Sequence, residues 1–356
     1  MQYTPHIHRF PQRPPFQLNW RYGVLLRSTN WLGDALMTLP AAWQLRRCVP
    51  EACGFFVLCP QFLAPLWRAC PWVDYVIPMA GKRIAWPEVS QVRRCSPGVG
   101  VVFPNSFGAA FDVWRCGVSQ RVGRVGRLRS LLLTHRIPEW PRVSAGTSAE
   151  FHQLSHYLEL VSSCGSIEWS SRCPVLSVDK GLAEKLGMTG TGWLALAPGA
   201  AYGPAKQWPA ESFLAVAKEY VAKGGRIALV GAAREREATA FIASHIPHAL
   251  DLAGRTSLDE LMAVLSCADA VVANDSGAMH LAAAVGTPGV AIFGSTDPIA
   301  TGPLGAEWRL LVAENSCRPC FQRTCVNQEK SYACLRSITS EQVLSELSQL
   351  ASRGCE

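Results

Sequence analysis

The sequence has few charged residues and no long apolar run. Asp, Glu, Lys and Arg make up 17% of the 356 residues, against about a quarter in an average soluble protein. The most apolar segment, HLAAAVGTPGVAIFG, is interrupted by Gly286, Pro288 and Gly289 and is too short to cross a bilayer. The proline-rich residues 1–20 lack the apolar core of a signal peptide and are expected to form a loose extension. These absences predict a cytoplasmic protein with mostly reduced cysteines.

Several motifs that would identify common enzyme classes are also absent. No Walker A spacing occurs, and no Gly-x-Gly-x-x-Gly follows the first predicted strand. These absences argue against a P-loop nucleotidase and a nicotinamide dehydrogenase. The chain shows neither an Asp-x-Asp metal motif nor a His/Cys/Asp arrangement typical of hydrolases. We therefore expect catalysis without a required cofactor or divalent cation.

Basic residues outnumber acidic residues in the sequence. The formal net charge is +7, which suits an anionic ligand, a nucleic acid or an acidic lipid surface. No aromatic-interleaved basic groove accompanies it, so a nucleic acid partner is not expected. The low charged fraction favours a protein partner or a membrane face.

Apolar strands alternate with helical segments in two successive series. Continuous strands of Val, Leu and Phe are typical of a parallel sheet covered by helices. We predict an α/β fold of two Rossmann-like domains whose parallel sheets face a central cleft, where ligands bind at the carboxyl ends of strands. The predicted strands begin at Gly23, Gly54, Asp74, Val99, Trp193, Arg226, Ala249, Ala270, Gly289 and Arg309. The predicted bounds are an extension at 1–20, domains at 21–165 and 166–338, and a C-terminal helix at 339–356.

The segment AVVANDSGAMHLAAA has the features of an anion-binding helix start. Asn274 or Asp275 is expected at the N-cap, followed by the backbone N–H groups of Ser276 and Gly277. His280 lies one turn further on the same face. A well-capped helix with a core histidine explains the local residues equally well.

Two further segments carry a charged residue in a loop or helix start. APGAAYGPAKQWP is a Gly/Pro-rich loop whose cation, Lys206, suits a diphosphate, although a solvated surface lysine fits the same pattern. STNWLGDALMTLPAA places Asp34 at the start of a predicted helix, where the dipole favours its ionised form. A helix-capping acid is the alternative for Asp34.

Taken in order along the chain, these segments resemble a known family. NWLGDALMTLP, APGAAYGPAKQWP, DLAGRTSLDEL and NDSGAMHLAAA are similar to the motifs of the ADP-heptose:lipopolysaccharide heptosyltransferases of glycosyltransferase family 9. Within that family the chain is most similar to the heptosyltransferase II group, from Val24 to the C-terminus. The resemblance implies a GT-B fold that inverts the anomeric configuration. It implies ADP-heptose bound by the C-terminal half and the inner core of lipopolysaccharide by the N-terminal half.

The resemblance also implies roles for individual residues. Asp34 corresponds to the catalytic base, and Glu237, or alternatively Glu235, to the ribose ligand. Thr256 falls where the adenine is contacted. The remaining residues implied at the nucleotide sugar are Lys206, Asp275, Ser276, Gly277 and His280.

An arginine-rich segment, RVGRVGRLRS, is interpreted as a loop that contacts the acceptor. Its arginines suit the phosphates and carboxylates of a lipopolysaccharide core at the cytoplasmic face of the inner membrane, where the protein would be peripheral. A solvated basic loop is the alternative. The acceptor-binding candidates are Arg121, Arg124, Arg127 and Arg129.

Four thiols are grouped near the C-terminus, in CRPCFQRTCVNQEKSYAC. A structural zinc ion is possible there, but the spacing is not that of paired Cys-x-x-Cys knuckles. Packed thiols or a disulfide are the alternatives. The residues concerned are Cys317, Cys320, Cys325 and Cys334.

Overall fold

The computed structural model describes residues 3–8, 14–126, 128–139, 148–165, 170–313, 315–327, 329 and 331–351. These residues form two compact units. The first unit contains the described residues of Ile7–Arg142 and Gln153–Ser177. The second contains those of Met1–His6, Val143–His152 and Val178–Glu356. No helix in the described part of the chain is long and apolar enough to span a membrane.

Each unit is built on a parallel sheet, and all strand pairs within the two sheets are parallel. The strands of the first unit are β1 Gly23–Arg27, β2 Gly54–Pro60, β3 Tyr75–Met79, β4 Val99–Val102, β5 Gln120–Arg124 and β6 His135–Ile137. Those of the second are β7 Trp193–Ala197, β8 Arg226–Leu229, β9 Leu250–Asp251, β10 Ala270–Asn274, β11 Gly289–Phe293 and β12 Trp308–Val312.

Helices connect the strands. The first unit contains α1 Leu32–Cys48, α2 Ala64–Arg68, α3 Trp86–Cys95, α4 Phe107–Arg115 and α5 Leu154–Ser162. The second contains α6 Gly181–Lys185, α7 Ala210–Ala222, α8 Arg236–Ala243, α9 Leu258–Ser266, α10 Gly277–Ala284, α11 Pro298–Thr301, α12 Ala333–Arg336 and α13 Ser340–Ala351. Single 3₁₀ turns lie at Gln61–Leu63, Arg129–Leu132, Pro204–Lys206 and Ala233–Glu235.

The two sheets share one topology, which fixes where ligands can bind. The strand orders are β3-β2-β1-β4-β5-β6 and β9-β8-β7-β10-β11-β12. Both are the doubly wound order, in which the chain direction across the sheet reverses beside the first strand. The crevice at this reversal lies between β1 and β4 in the first sheet and between β7 and β10 in the second. The predicted α/β fold of two Rossmann-like sheets is thus confirmed.

The central strands are buried because they are apolar on both faces. Every residue of β1, β4, β7 and β11 is buried. A core of aliphatic side chains around Phe213 and Trp208 fills one face of the second sheet, and a separate core around Val89 and Val113 covers the first. Burial of this kind contributes roughly 25 cal/mol per Å² of apolar surface.

The arginine-rich segment was predicted as a loop, and that prediction is wrong. Its first four residues belong to β5, which pairs in parallel with β6 beyond the end of the segment. The alternation of Arg with Val and Gly conceals this strand, because its long arginine side chains donate hydrogen bonds to backbone carbonyls of the first unit. The predicted strands that precede β5, and all those of the second series, are confirmed.

The described residues of the N-terminal extension form hydrogen bonds to the compact units. The expectation of a loose extension is wrong for these residues. Within the second unit, the N–H of Tyr3 donates to the carbonyl of Trp308 at 2.9 Å. Its hydroxyl donates to the carbonyl of Pro298 at 3.2 Å. Within the first unit, the N–H of His8 donates to the hydroxyl of Ser155 at 3.0 Å. The compact units therefore include parts of the chain that the predicted domain bounds place elsewhere.

Candidate functional site

The loops that follow the two central strands of the second sheet, β7 and β10, lie at its crevice. The loop after β7 carries Lys206, and the turn between β10 and α10 carries Asp275. Asn274 holds these loops together. Its side-chain amide donates to the carbonyl of Pro198 at 2.7 Å and accepts from the N–H of Trp208 at 3.0 Å. Since Asn274 is fully buried, this bridge fixes the spacing of the two loops.

Lys206 and Asp275 form a nearly buried ion pair. The ammonium of Lys206 lies 2.5 Å from the carboxylate of Asp275, and the two side chains are 13% and 4% exposed. The hydroxyl of Thr296 donates to the same carboxylate oxygen at 2.6 Å. Lys206 is therefore not a solvated surface lysine, and Asp275 is not the N-cap of α10.

The start of α10 has unused hydrogen-bonding capacity. Its N-cap is Ser276, whose side chain makes no capping bond, and Gly277 opens the helix without a side chain. Among the described residues, the hydroxyls of Ser276 and Ser295 are buried yet form no hydrogen bond. Buried polar atoms of this kind are rare in folded proteins. Together with the first N–H groups of the helix, they can bind an anionic ligand.

His280 lies on α10 and is buried. Desolvation lowers its pKa to about 4; the charge of Asp275 opposes this shift and that of Lys206 adds to it. His280 is therefore neutral at physiological pH. A neutral imidazole can donate one hydrogen bond, but it adds no positive charge to the crevice.

The two candidate glutamates lie in different environments, and Glu235 is the one that packs against the loop after β7. Glu237 is exposed on α8, whereas the Glu235 carboxylate accepts from the N–H of Ala232 at 2.7 Å. A Cβ added at Gly199, in the loop after β7, would lie 2.1 Å from the Glu235 carboxyl carbon. Gly199 thus leaves the space that the Glu235 side chain fills. Thr256 directly precedes the N-cap of α9 and is half-buried.

Asp34 occupies the third position of α1 in the first unit. The N-cap is Trp31, which makes no side-chain capping bond, so Asp34 is not a capping acid. Among the described residues no hydrogen bond or ion pair is formed by its carboxylate. Burial raises its pKa, opposite to the direction predicted from the helix start. Asp34 also raises the pKa of the nearby Tyr157 hydroxyl, which desolvation already raises.

A buried ion pair lies at the crevice of the first sheet, and the sequence analysis missed it. Arg27, at the end of β1, donates to the carboxylate of Asp112 on α4 at 3.2 Å. The same carboxylate lies 3.8 Å from the guanidinium of Arg83. Desolvation dominates both pKa shifts, lowering that of Arg27 and raising that of Asp112. Two features of the sequence could have indicated this pair. They are an arginine at the end of an apolar strand and an aspartate in the apolar helix FGAAFDVW.

The largest cavity we describe in the first unit lies at the same carboxyl ends. Its volume is about 990 Å³. Its lining includes two exposed cationic side chains, Lys82 and Arg83, and two exposed rings, Trp31 and Phe62. Such a cavity can accommodate a ligand that carries both anionic and apolar groups.

The predicted acceptor arginines are engaged in internal contacts. Arg124 is buried and lies 2.5 Å from the carboxylate of Glu159. Buried Arg129 donates to the carbonyl of Val125 at 2.5 Å, and Arg121 to those of Leu132 and Val118 at 2.5 and 2.6 Å. Arg127 lies outside the described residues. Their predicted role in acceptor binding stays a prediction.

The C-terminal thiols form no disulfide and do not assemble a metal site in the described structure. Cys317 is exposed, Cys334 is buried, and both are free, as are Cys320 and Cys325. No group of three or more His, Cys, Asp or Glu side chains among the described residues is placed to hold a metal ion.

Comparisons with known proteins give one consistent result. Residues 89–331 match the family described as "Glycosyltransferase family 9 (heptosyltransferase)". The chain is 28% identical to lipopolysaccharide heptosyltransferase 2 of Escherichia coli, over 92% of this chain and 98% of that protein. It is 29% identical to lipooligosaccharide heptosyltransferase 2 of Haemophilus influenzae, over 79% and 86%. The solved structure of E. coli ADP-heptose lps heptosyltransferase II matches with a TM-score of 0.77 and 27% identity, covering 94% of this chain and 99% of that one.

Proposed function

Because the chain belongs to glycosyltransferase family 9, we propose that it transfers L-glycero-D-manno-heptose from ADP-heptose to the inner core of lipopolysaccharide. The most specific form of the proposal is addition of the second heptose to heptosyl-Kdo2-lipid A. A related sugar donor or acceptor within the same family is the alternative.

One observation carries the assignment of the sugar-nucleotide site to the second unit. Lys206, Asp275 and the buried, unbonded hydroxyl of Ser276 meet at the crevice of a doubly wound sheet. This is where such sheets bind nucleotides. The ammonium of Lys206 and the N–H groups at Gly277 suit a diphosphate. Glu235, with the exposed Glu237 as the alternative, suits the ribose hydroxyls, and Thr256 the adenine.

The reaction requires a base for the acceptor and charge stabilisation for the leaving group. The acceptor oxygen attacks the anomeric carbon, the bond from that carbon to the diphosphate oxygen breaks, and ADP leaves with the bonding electron pair. The hydroxyl proton passes to the Asp34 carboxylate. Direct attack inverts the anomeric configuration. Asp34 suits this role because burial raises its pKa and no described residue bonds to its carboxylate, which leaves it able to accept a proton.

The negative charge that develops on the departing diphosphate is stabilised by groups of the second unit. Lys206 offers a positive charge, the α10 amides offer oriented dipoles, and neutral His280 offers a hydrogen bond. These groups are held in place before the reaction by the buried bridge at Asn274. No step in this scheme is assigned to a metal ion.

The cavity of the first unit is the proposed acceptor site. Lys82 and Arg83 suit the phosphate and carboxylate groups of an inner core. The exposed rings of Trp31 and Phe62, 74% and 56% exposed, suit the interface of a membrane in which the acceptor's lipid is embedded. We accordingly propose a peripheral position at the cytoplasmic face of the inner membrane.

A transfer assay with ADP-heptose and core acceptors of defined length tests the proposal. We expect one heptose to be added to an acceptor that ends in a single heptose, with release of ADP. Transfer to a different acceptor, or only from a different sugar nucleotide, would favour the related-enzyme alternative. Binding of ADP-heptose without transfer to any acceptor would favour a non-catalytic binding protein.

A further inference from the structure

The cysteine-rich segment contacts the Lys206 loop and the loop that follows β11. The N–H of Phe321 donates to the carbonyl of Ser295 at 2.9 Å. The N–H of Ala205, beside Lys206, donates to the carbonyl of Arg323 at 3.0 Å. The hydroxyl of Tyr202 donates to the carbonyl of Phe321 at 2.6 Å. Residues 321–323 are thus held against the Lys206 loop by their backbone, independently of the Arg323 side chain.

Two cations share the ring of Tyr202. The ammonium of Lys206 lies 4.9 Å from the ring centroid, and the guanidinium carbon of Arg323 lies 5.3 Å from it. Arg323 is exposed, and among the described residues it forms no ion pair with a carboxylate. The electron-rich ring attracts each of the two cations. The ring therefore orders a second positive charge beside Lys206.

The charge at the site explains why a second cation is needed. The diphosphate of a nucleotide sugar carries about two negative charges, and more develops as ADP departs. Lys206 is already paired with Asp275 at 2.5 Å, so the pair has no net charge. His280 is neutral at physiological pH because burial lowers its pKa. Arg318 is also near this pair, but its guanidinium donates to the carbonyls of Gly294, Ala313 and Thr296. Arg323 is exposed and forms no ion pair among the described residues, so its guanidinium can bind a ligand.

We propose that Arg323 binds the donor diphosphate together with Lys206, and that Tyr202 is the positioning residue that aligns the two cations. This inference rests on the proposed function, since it assigns a further residue to the same nucleotide. The cysteine-rich segment then contributes to donor binding through Arg323, and its thiols have no part in this role.

Calorimetric titration of the full-length protein with ADP tests the inference. We expect Arg323→Gln to weaken ADP binding about tenfold or more, as removal of a charge-assisted contact does. Adenosine, measured by competition, should bind within about twofold of the wild type. Arg323→Lys should restore part of the ADP affinity. Lys218→Gln, which removes an exposed cation from α7, is the charge-matched control and should change neither affinity.

Tyr202 variants separate alignment from packing. Tyr202→Phe keeps the ring and loses the hydrogen bond to Phe321, so we expect a smaller loss of ADP affinity than with Tyr202→Leu. Equal losses for the two variants would contradict the positioning role of the ring. Wild-type binding of ADP with no loss in Arg323→Gln would overturn the inference and leave the proposed function standing. Failure of the wild type to bind ADP at all would overturn the proposed function itself.

Discussion

Asp34 is held in an environment that does not favour its charge. Burial raises its pKa, and no described group bonds to it. Folding therefore disfavours the carboxylate, and this unfavourable contribution appears as the pH rises above the ordinary value near 4. We expect Asp34→Asn to leave the melting temperature at pH 7 unchanged or raised, while transfer falls about 10²- to 10⁴-fold. Calorimetry and the transfer assay measure the two effects.

The pH profile gives a second test of the same side chain. The base must be deprotonated to accept a proton, so transfer by the wild type should rise with pH through the raised pKa of Asp34. Donor binding to Asp34→Asn should remain at the wild-type level, which is the control for an intact second unit. A clear loss of stability in this variant would assign Asp34 a structural role instead.

We expect Lys206 to stabilise the folded protein in addition to binding the diphosphate of the proposed ligand. Lys206→Met would leave the Asp275 carboxylate, 4% exposed, without its counter-charge. Removing one partner of a buried pair costs about 3–5 kcal/mol. Lys206→Met/Asp275→Asn removes both charges, so we expect it to recover much of that loss. Urea unfolding of the three proteins measures the difference, and a double variant no more stable than the single one would contradict this account.

At the scale of elements, β5 and α5 are joined by an ion pair. Arg124 and Glu159 are 4% and 12% exposed and 2.5 Å apart. We expect Arg124→Met to destabilise the protein by about 3 kcal/mol or more. Lys82→Ala, which changes an exposed cation at the cavity, should alter stability by less than about 0.5 kcal/mol and raise the KM for the acceptor. Urea unfolding and acceptor titration measure both.

The opposite pattern would support the arginine-rich segment as the acceptor contact. If Arg124→Met kept full stability and lost acceptor affinity, the internal contacts of Arg124 would be incidental. If Lys82→Ala changed neither property, the cavity of the first unit would not be the acceptor site. Arg136→Ala, at an exposed position of β6, serves as the control for a general loss of positive charge.

How far the sequence predicts an element depends on what stabilises that element. β7 and β10 are continuous apolar runs, and hydrophobic burial alone identifies them. β5 is different, because its Arg124 pairs with Glu159 and donates to the carbonyl of Pro138, both distant in sequence. The same limit applies to Lys206 and Asp275, which are 69 residues apart. Their loops were recognisable from composition, but their pairing depends on strands that become neighbours only in the folded sheet.

At the scale of the whole molecule, the two units have separate cores and separate proposed ligands. A ligand that binds one native unit stabilises that unit by RT ln(1 + [L]/Kd), about 2.7 kcal/mol at a hundredfold excess over Kd. We expect ADP to slow hydrogen exchange most in residues 198–208, 274–281 and 294–297 of the second unit. Peptides within residues 23–124 of the first unit should change much less.

A core acceptor without ADP should produce the reverse pattern, with protection around Lys82 and Trp31. Lys206→Met is the control, because the ADP-dependent protection should weaken in it while the acceptor-dependent protection remains. If ADP alone slowed hydrogen exchange equally in both units, the proposed division of the two ligands between the units would be contradicted. The division has a physical basis, since the ion pair at Lys206 and the carboxylate of Asp34 belong to crevices of different sheets. Each crevice can therefore be disabled by substitution while the core of the other unit stays intact.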